Sequence, residues 1–280
     1  MYGRAYKTAV ALPPVAWVAA FLLIPYAFLF CYSFWSVSGQ NVVHEWTLVN
    51  YRELLHSSMY GSVMARSARI AATVTLLSML LGFPLAYYIS FHCSRRKELY
   101  QLVIIPLWVS YLVRAYAWKT ILGSDGVLNS LLQFVHLSHE PLGFLLYSPL
   151  AVLITLTHIY VAFAFLPIYA SLEHIPRNLL EAARDLGASG PRMFWTVIFP
   201  LSLPGVIAGA TFAFVLSLGD FLSPLLVGGP SGIMISNIVV SLFGAAFNWP
   251  LGAAVSLCLL LVVLAILWVT ERLQHRLTFH

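Results

Sequence analysis

Residues 173–200 read EHIPRNLLEAARDLGASGPRMFWTVIFP and separate two strongly apolar runs. The stretch carries Glu173, Arg177, Glu181, Arg184, Asp185 and Arg192, six of the 25 charged residues (15 Lys or Arg plus 10 Asp or Glu). Pro176 stands where a helix can begin, because its missing N–H would be unpaired there anyway. Gly187 can take the left-handed conformation that ends one. Between them Leu179, Ala182, Ala183 and Leu186 recur at helical spacing and give a small apolar face. A second short segment, Pro191 to Ile198, leads to Pro200 and the next apolar run. The stretch therefore reads as a charged helix–turn–helix at a membrane surface. Two roles are open to it: an ordinary amphipathic connection, or a docking element for another protein.

Working outward, the whole chain is apolar. Of 280 residues 60% are hydrophobic and 9% charged, with mean hydropathy +0.86, against about 25% charged in a soluble domain. Such a chain cannot cover a water-facing surface, so it is an integral membrane protein. The net charge of +5 does not mark a nucleic-acid binder, since the basic residues are few and dispersed. Cys31, Cys93 and Cys258 lie in or beside apolar runs without C-x-x-C spacing and read as small packed residues. The first apolar run, about residues 8–35, exceeds the roughly 7–15 residue core of a cleavable signal and reads as a retained span.

Six stretches reach the roughly 20 apolar residues of a transmembrane helix, at about 9–35, 66–92, 99–122, 146–171, 201–227 and 250–270. The expected fold is an all-α polytopic membrane protein in one domain, 1–280. The intervening segments alternate in charge. Arg4, Lys7, Arg95, Arg96, Lys97, Arg177, Arg184, Arg192, Arg272 and Arg276 all fall in one set; the opposite set holds only Arg52. The positive-inside rule puts the basic set, both termini and residues 173–200 in the cytoplasm.

Pro84, Pro106, Pro167 and Pro224 are expected to kink or break their spans, which membranes tolerate where the break is buried in protein or lines a cavity. Gly205 and Gly209 form a small-xxx-small face suited to close helix contact. Ionisable residues within spans are functional-site candidates by default, and these are Arg114, Lys119 and Asp220. Counting about 1.5 Å per residue from Leu201 puts Asp220 nearly 30 Å along its span, towards the outer face, with Pro224 after it. Three readings are open: Arg114 and Asp220 pair as an outer gate; Asp220 meets a cationic substrate with help from Tyr116 or Trp118; or Arg114 and Lys119 only snorkel to head groups. The apolar segment 233–247 is too short to span and is expected at the interface or dipping back. With no internal repeat, a two-fold pathway would need a second subunit.

The sequence lacks G-x-x-x-x-G-K-[ST], H-E-x-x-H and G-x-S-x-G. His136 and His139 have no Cys or carboxylate cluster beside them, so no metal site is assigned, and His158 reads as a packed histidine. No catalytic constellation is present. The expectation is a transporter component, without a cofactor of its own.

Glu181-Ala182-Ala183, three residues, Gly187, nine residues, then Val197-Ile198-Phe199-Pro200 resembles the EAA loop of ABC-importer permeases, E-A-A-x3-G-x9-I-x-L-P. Val197 and Phe199 replace the Ile and Leu of that pattern. Residues 105–108, 112–118, 126–129, 217–224 and Gly228-Gly229 are similar to the spermidine/putrescine branch. The resemblance implies a type I permease fold of the binding-protein-dependent family in a bacterial inner membrane. It implies pairing with a second permease, identical or homologous, and an extracytoplasmic binding protein that delivers the substrate. It also implies an ABC ATPase dimer carrying ATP and Mg²⁺, engaged by Glu181, Ala182, Ala183, Arg184, Asp185, Gly187 and Pro200. The cargo it implies is a polyamine; another small organic solute or iron is the alternative within the class, and an ion-gradient carrier the alternative outside it.

Overall fold

The computed structural model describes residues 4–39 and 41–278. The side chains of Arg4, Lys7 and Arg276, counted above for their charge, lie outside the described part. The chain runs through α1 (Arg4–Val18), a π-turn at Ala19–Leu23, α2 (Ile24–Ser33), and a hairpin of β1 (Ser36–Ser38) and β2 (Asn41–Val43) that pairs Ser36 with Val43. There follow α3 (Val49–His56), α4 (Ser58–Phe91), α5 (Arg96–Trp108), α6 (Tyr111–Leu122), α7 (Val127–Phe134) and α8 (Pro149–Glu173). Next come α9 (Arg177–Asp185), α10 (Gly190–Met193), a π-turn at Phe194–Ile198 and α11 (Phe199–Gly219). A π-turn at Pro224–Gly228, α12 (Gly229–Gly232), α13 (Ile235–Phe243) and α14 (Trp249–Thr278) complete it.

Among the described residues, five stretches are long and apolar enough to cross a membrane: Val10–Ser33, Ser58–Phe91, Pro149–Glu173, Gly190–Gly219 and Trp249–Gln274. Two further pairs are bent, Arg96–Trp108 with Tyr111–Phe134 by 94° and Pro224–Gly232 with Ile235–Phe243 by 107°. The expected span 99–122 is thus interrupted at residues 109–110, and segment 233–247 turns sharply back.

Pro106 and Pro224 stand beside breaks, as expected, Pro106 two residues before the end of α5 and Pro224 in the segment after Asp220; Pro84 and Pro167 end no helix. α4 continues through Pro84 and α8 through Pro167. A proline ring crowds the carbonyl four residues back, and two of the π-turns stand directly before prolines. Ile24 N–H reaches Ala19 O ahead of Pro25, and Phe199 N–H reaches Phe194 O ahead of Pro200. These i→i−5 bonds widen the helix by a residue, which gives the ring room without ending the helix. As a result α10, the π-turn and α11 form one continuous rod from Gly190 to Gly219, where the sequence suggested a separate short segment.

Contacts divide the chain into two compact units, residues up to Gly61 with Ile238–Val262, and Ser62–Asn237 with residues from Val263 on. In the first, buried Asn50 donates to the carbonyls of Ser33 (2.9 Å) and Trp35 (2.7 Å), and Tyr51 O–H donates to Ser33 Oγ at 2.8 Å. These bonds satisfy carbonyls at and beyond the end of α2, which have no helical partner of their own.

The second unit is organised on α8, the most buried of the spans. One core cluster gathers Val74, Leu122, Leu156, Ile159, Ala213 and Met234; the other gathers Ile89, Phe165, Ile168, Leu180, Met193 and Ile198. α8 contributes to both. Its partner is α11, and the two approach backbone to backbone at the glycine pair read from the sequence. A Cβ on Gly205 would collide with Pro167 O and the Ser171 side chain, and one on Gly209 would lie 2.6 Å from Ala164 O. Gly209→Leu is therefore expected to cost about 1–3 kcal/mol through overpacking. A lower unfolding midpoint in detergent checks this, and Gly190→Leu, facing open space, is the control.

Candidate functional site

Two places collect functional side chains. The first is the hairpin of α9 and α10. α9 starts at Arg177, with Pro176 just outside it and Pro176 O accepting from Leu179 N–H at 3.1 Å. At its other end Gly187 takes φ +77°. Gly187 N–H donates to Arg184 O (2.8 Å) and Ala188 N–H to Ala183 O (2.9 Å), the paired 5→2 and 6→1 bonds of a Schellman closure. A Cβ on Gly187 would meet nothing within 4 Å, so the demand there is on backbone conformation and not on space.

The closure fixes which side of α9 faces in. Leu180 is buried and Ala183 half-buried in the core with Ile175, Met193 and Ile198. Ala182 is exposed, Leu179 is 44% exposed and Leu186 88%. The four-residue face read from the sequence is thus split: Ala183 packs inward while Leu179, Ala182 and Leu186 face away. Glu181 and Arg184, with Arg177 and His92, line a cavity of about 160 Å³ between the hairpin and the end of α4. Asp185 is exposed, and Pro200 lies exposed in the first turn of α11. At the root of the hairpin Arg96 pairs with Glu173 at 3.7 Å.

The second place is the break after α11. Asp220 is buried and its carboxylate is surrounded by donors. Oδ1 accepts from Leu222 N–H (2.9 Å) and Ser223 N–H (3.1 Å), an N-cap on the segment that restarts the helix. Oδ2 accepts from Tyr160 O–H of α8 at 2.8 Å and from Tyr111 O–H of α6. Tyr111 also shares a bond with Ser223 Oγ at 2.7 Å. Ser236 O–H donates to Asp220 O at 2.6 Å, and Asn237 Nδ2 to Phe221 O at 2.7 Å. A carboxylate has about four acceptor positions; here all four are taken from within the chain. Pro224, buried, opens the π-turn that follows.

The Arg114–Asp220 pair weighed from the sequence is not formed. Among the described residues the ion pairs within 4 Å are Arg95–Glu98 and Arg96–Glu173. The physical reason is that Tyr111, at the first position of α6, takes the carboxylate. The Arg114 guanidinium instead lies 5.9 Å from the centre of the Tyr111 ring. Trp118 packs edge-on to His158 at 5.4 Å, in keeping with a packed histidine. Tyr116 is half exposed with Lys119 over its ring at 6.0 Å. Tyr111, Tyr160, Ser223 and Ser236 escaped the sequence reading; the available signal was that a buried phenol needs a partner.

Long apolar helices, two sharply bent helix pairs and a hairpin that leaves Leu186 exposed make this a polytopic helical membrane protein. Residues 78–279 match the family described as binding-protein-dependent transport system inner membrane component, and the chain belongs to that family. It is 34% identical over 259 residues to the spermidine/putrescine transport system permease protein PotB of Haemophilus influenzae, covering 92% of this chain and 90% of that one. It is 38% identical over 247 residues to the inner membrane ABC transporter permease protein YdcU of Escherichia coli K12, covering 83% and 78%. Its fold is similar to that in the crystal structure of a bacterial alginate ABC transporter with its pentasaccharide-bound periplasmic protein: TM-score 0.75, 20% identity, 98% and 95% covered.

Hydrogen bonds to a charged group contribute about 1.5–3 kcal/mol each. Tyr160→Phe should therefore lower the unfolding midpoint, and Asp220→Ala should lower it further, by removing the cap as well as both phenol bonds. Equal midpoints for Asp220→Ala and the unaltered protein would refute the saturated-cap geometry.

Proposed function

We propose that this chain is one half of the membrane pathway of an ATP-driven importer for polyamines. The substrate class rests on the likeness to PotB over nine-tenths of both chains. The observation that supports the coupling role is the Schellman-closed hairpin, which leaves Leu186 88% and Leu179 44% exposed with Ala182 exposed between them. In this reading a subunit of a separate ABC ATPase dimer, which binds the ATP and Mg²⁺, receives that face. Ala182 permits close approach, and Glu181, Arg184 and Asp185 supply polar contacts around it. Gly187 holds the turn, and Pro200, in the first turn of α11, lies on the rod that carries the motion inward. In this reading the hairpin and both termini are cytoplasmic, which the distribution of basic residues supports, and residues 1–280 form a single permease domain of the type I six-span class in the bacterial inner membrane.

A second permease, identical or homologous, completes the pathway. The break between α5 and α6 supports this: Trp108 is 87% exposed, and Val109 and Ser110 are exposed beside it. Non-helical backbone at membrane depth needs protein or a water-filled cavity around it. An extracytoplasmic binding protein delivers the solute at the opposite face. Asp220 acts as a gate residue that holds the broken helices of its own chain, with Arg114, Tyr116, Trp118 and Pro224 along the same stretch of pathway. Its filled acceptor positions argue against a free carboxylate relay of the kind an ion-gradient carrier needs.

The test is uptake of labelled spermidine together with ATP hydrolysis. Gly187→Val places a β-branched residue at positive φ, a costly conformation. It should insert normally yet reduce uptake at least tenfold. Normal uptake by that variant would count against the docking role. Unaltered uptake of iron or another small solute by a spermidine-inactive complex would redirect the substrate assignment.

A further inference from the structure

A cavity of about 280 Å³ lies between α4 and the start of α8, lined by Arg66, Arg69, Ile70, Thr73, Pro149 and Leu153. Neither the hairpin nor the Asp220 cluster uses it. Arg66 and Arg69 stand one turn apart, and neither has a carboxylate within 4 Å among the described residues. Arg66 Nε is buried without a hydrogen-bond partner, while Arg69 Nε reaches only Ala65 O at 3.4 Å. A buried guanidinium donor left unpaired is costly, and no acidic side chain lines the cavity to repay it.

The opposite wall is the N-terminus of the 25-residue helix α8. Pro149 has no N–H, and Ser148 Oγ takes that of Ala151 at 3.2 Å. The positive end of the helix dipole therefore adds to the two guanidiniums in favouring an anion. Planar guanidinium forks match the oxygens of a phosphate. A water occupies about 30 Å³ of liquid, so the cavity has room for a phosphate group.

The surroundings say where the phosphate comes from. Thr73, Leu76 and Leu80 continue the exposed face of α4 below the arginines, Leu76 at 59% and Leu80 at 60% exposure. Cationic side chains at one level followed by bare leucines is the order of a phospholipid laid against the helix, head group then acyl chain. We infer that Arg66 and Arg69, with the α8 N-terminus, form a binding site for a phosphodiester group, and that its source is a membrane phospholipid.

The experiment is native mass spectrometry of the full chain extracted from phosphatidylglycerol-containing nanodiscs. Arg66→Ala/Arg69→Ala should lose one tightly held phospholipid per chain. Thr73→Trp, which fills the cavity from an exposed position and keeps both arginines, should lose the same lipid while eluting as the unaltered protein does. Millimolar inorganic phosphate should not displace it. Phosphate bound by the unaltered protein and lost in the variants, with lipid retained equally by all three, would keep the anion site and move its source to soluble phosphate, overturning the lipid assignment. Equal lipid retention in all three proteins without phosphate binding overturns the site altogether. Equal retention with weakened capture of an extracytoplasmic binding protein overturns it in favour of a protein-docking surface.

Discussion

A helix broken inside hydrocarbon frees peptide groups that water cannot reach, and the rest of this structure depends on how they are paired. At the break after α11 the chain supplies four of these partners itself. The Asp220 carboxylate takes the N–H groups of Leu222 and Ser223, while Ser236 and Asn237 take the carbonyls of Asp220 and Phe221. The charge this brings into the apolar layer is met by two phenols, from α6 and α8. One buried anion thus closes a loop and joins three elements. The α5–α6 break is made differently: Ser110 makes no side-chain cap, and Trp108 and Val109 before it are exposed.

The same economy appears along α8. Its side chains enter both core clusters, and its backbone meets that of α11 where Gly205 and Gly209 remove the intervening Cβ atoms. In a membrane, contact of this kind replaces a hydrophobic driving force that lipid does not provide. Pro167 is the residue whose carbonyl Gly205 approaches, so a proline expected to interrupt α8 sits instead at its tightest contact.

Much of this was legible in local patterns. The E-A-A-x3-G spacing located α9 and the positive-φ glycine, and Gly205 with Gly209 marked the α8–α11 contact. What escaped was non-local. Tyr111 and Tyr160 stand 109 and 60 residues from Asp220, and no periodicity links such distances. Arg114 looked like the partner because charge is visible in a sequence and the direction of a phenol is not. The breaks were half legible: Pro106 stands two residues before the α5–α6 interruption and Pro224 just after the one at Asp220, whereas α4 and α8 run on through Pro84 and Pro167.

The backbone contact between α8 and α11 also has a mechanical meaning. With glycine against carbonyl at two successive turns, neither helix can roll or slide without collision, so the pair moves as a single stiff lever. α9 adjoins the Gly190 end of the rod and the Asp220 clasp follows its other end, about 45 Å along at 1.5 Å per residue. A pair locked in this way would pass a displacement at one end to the other with little bending.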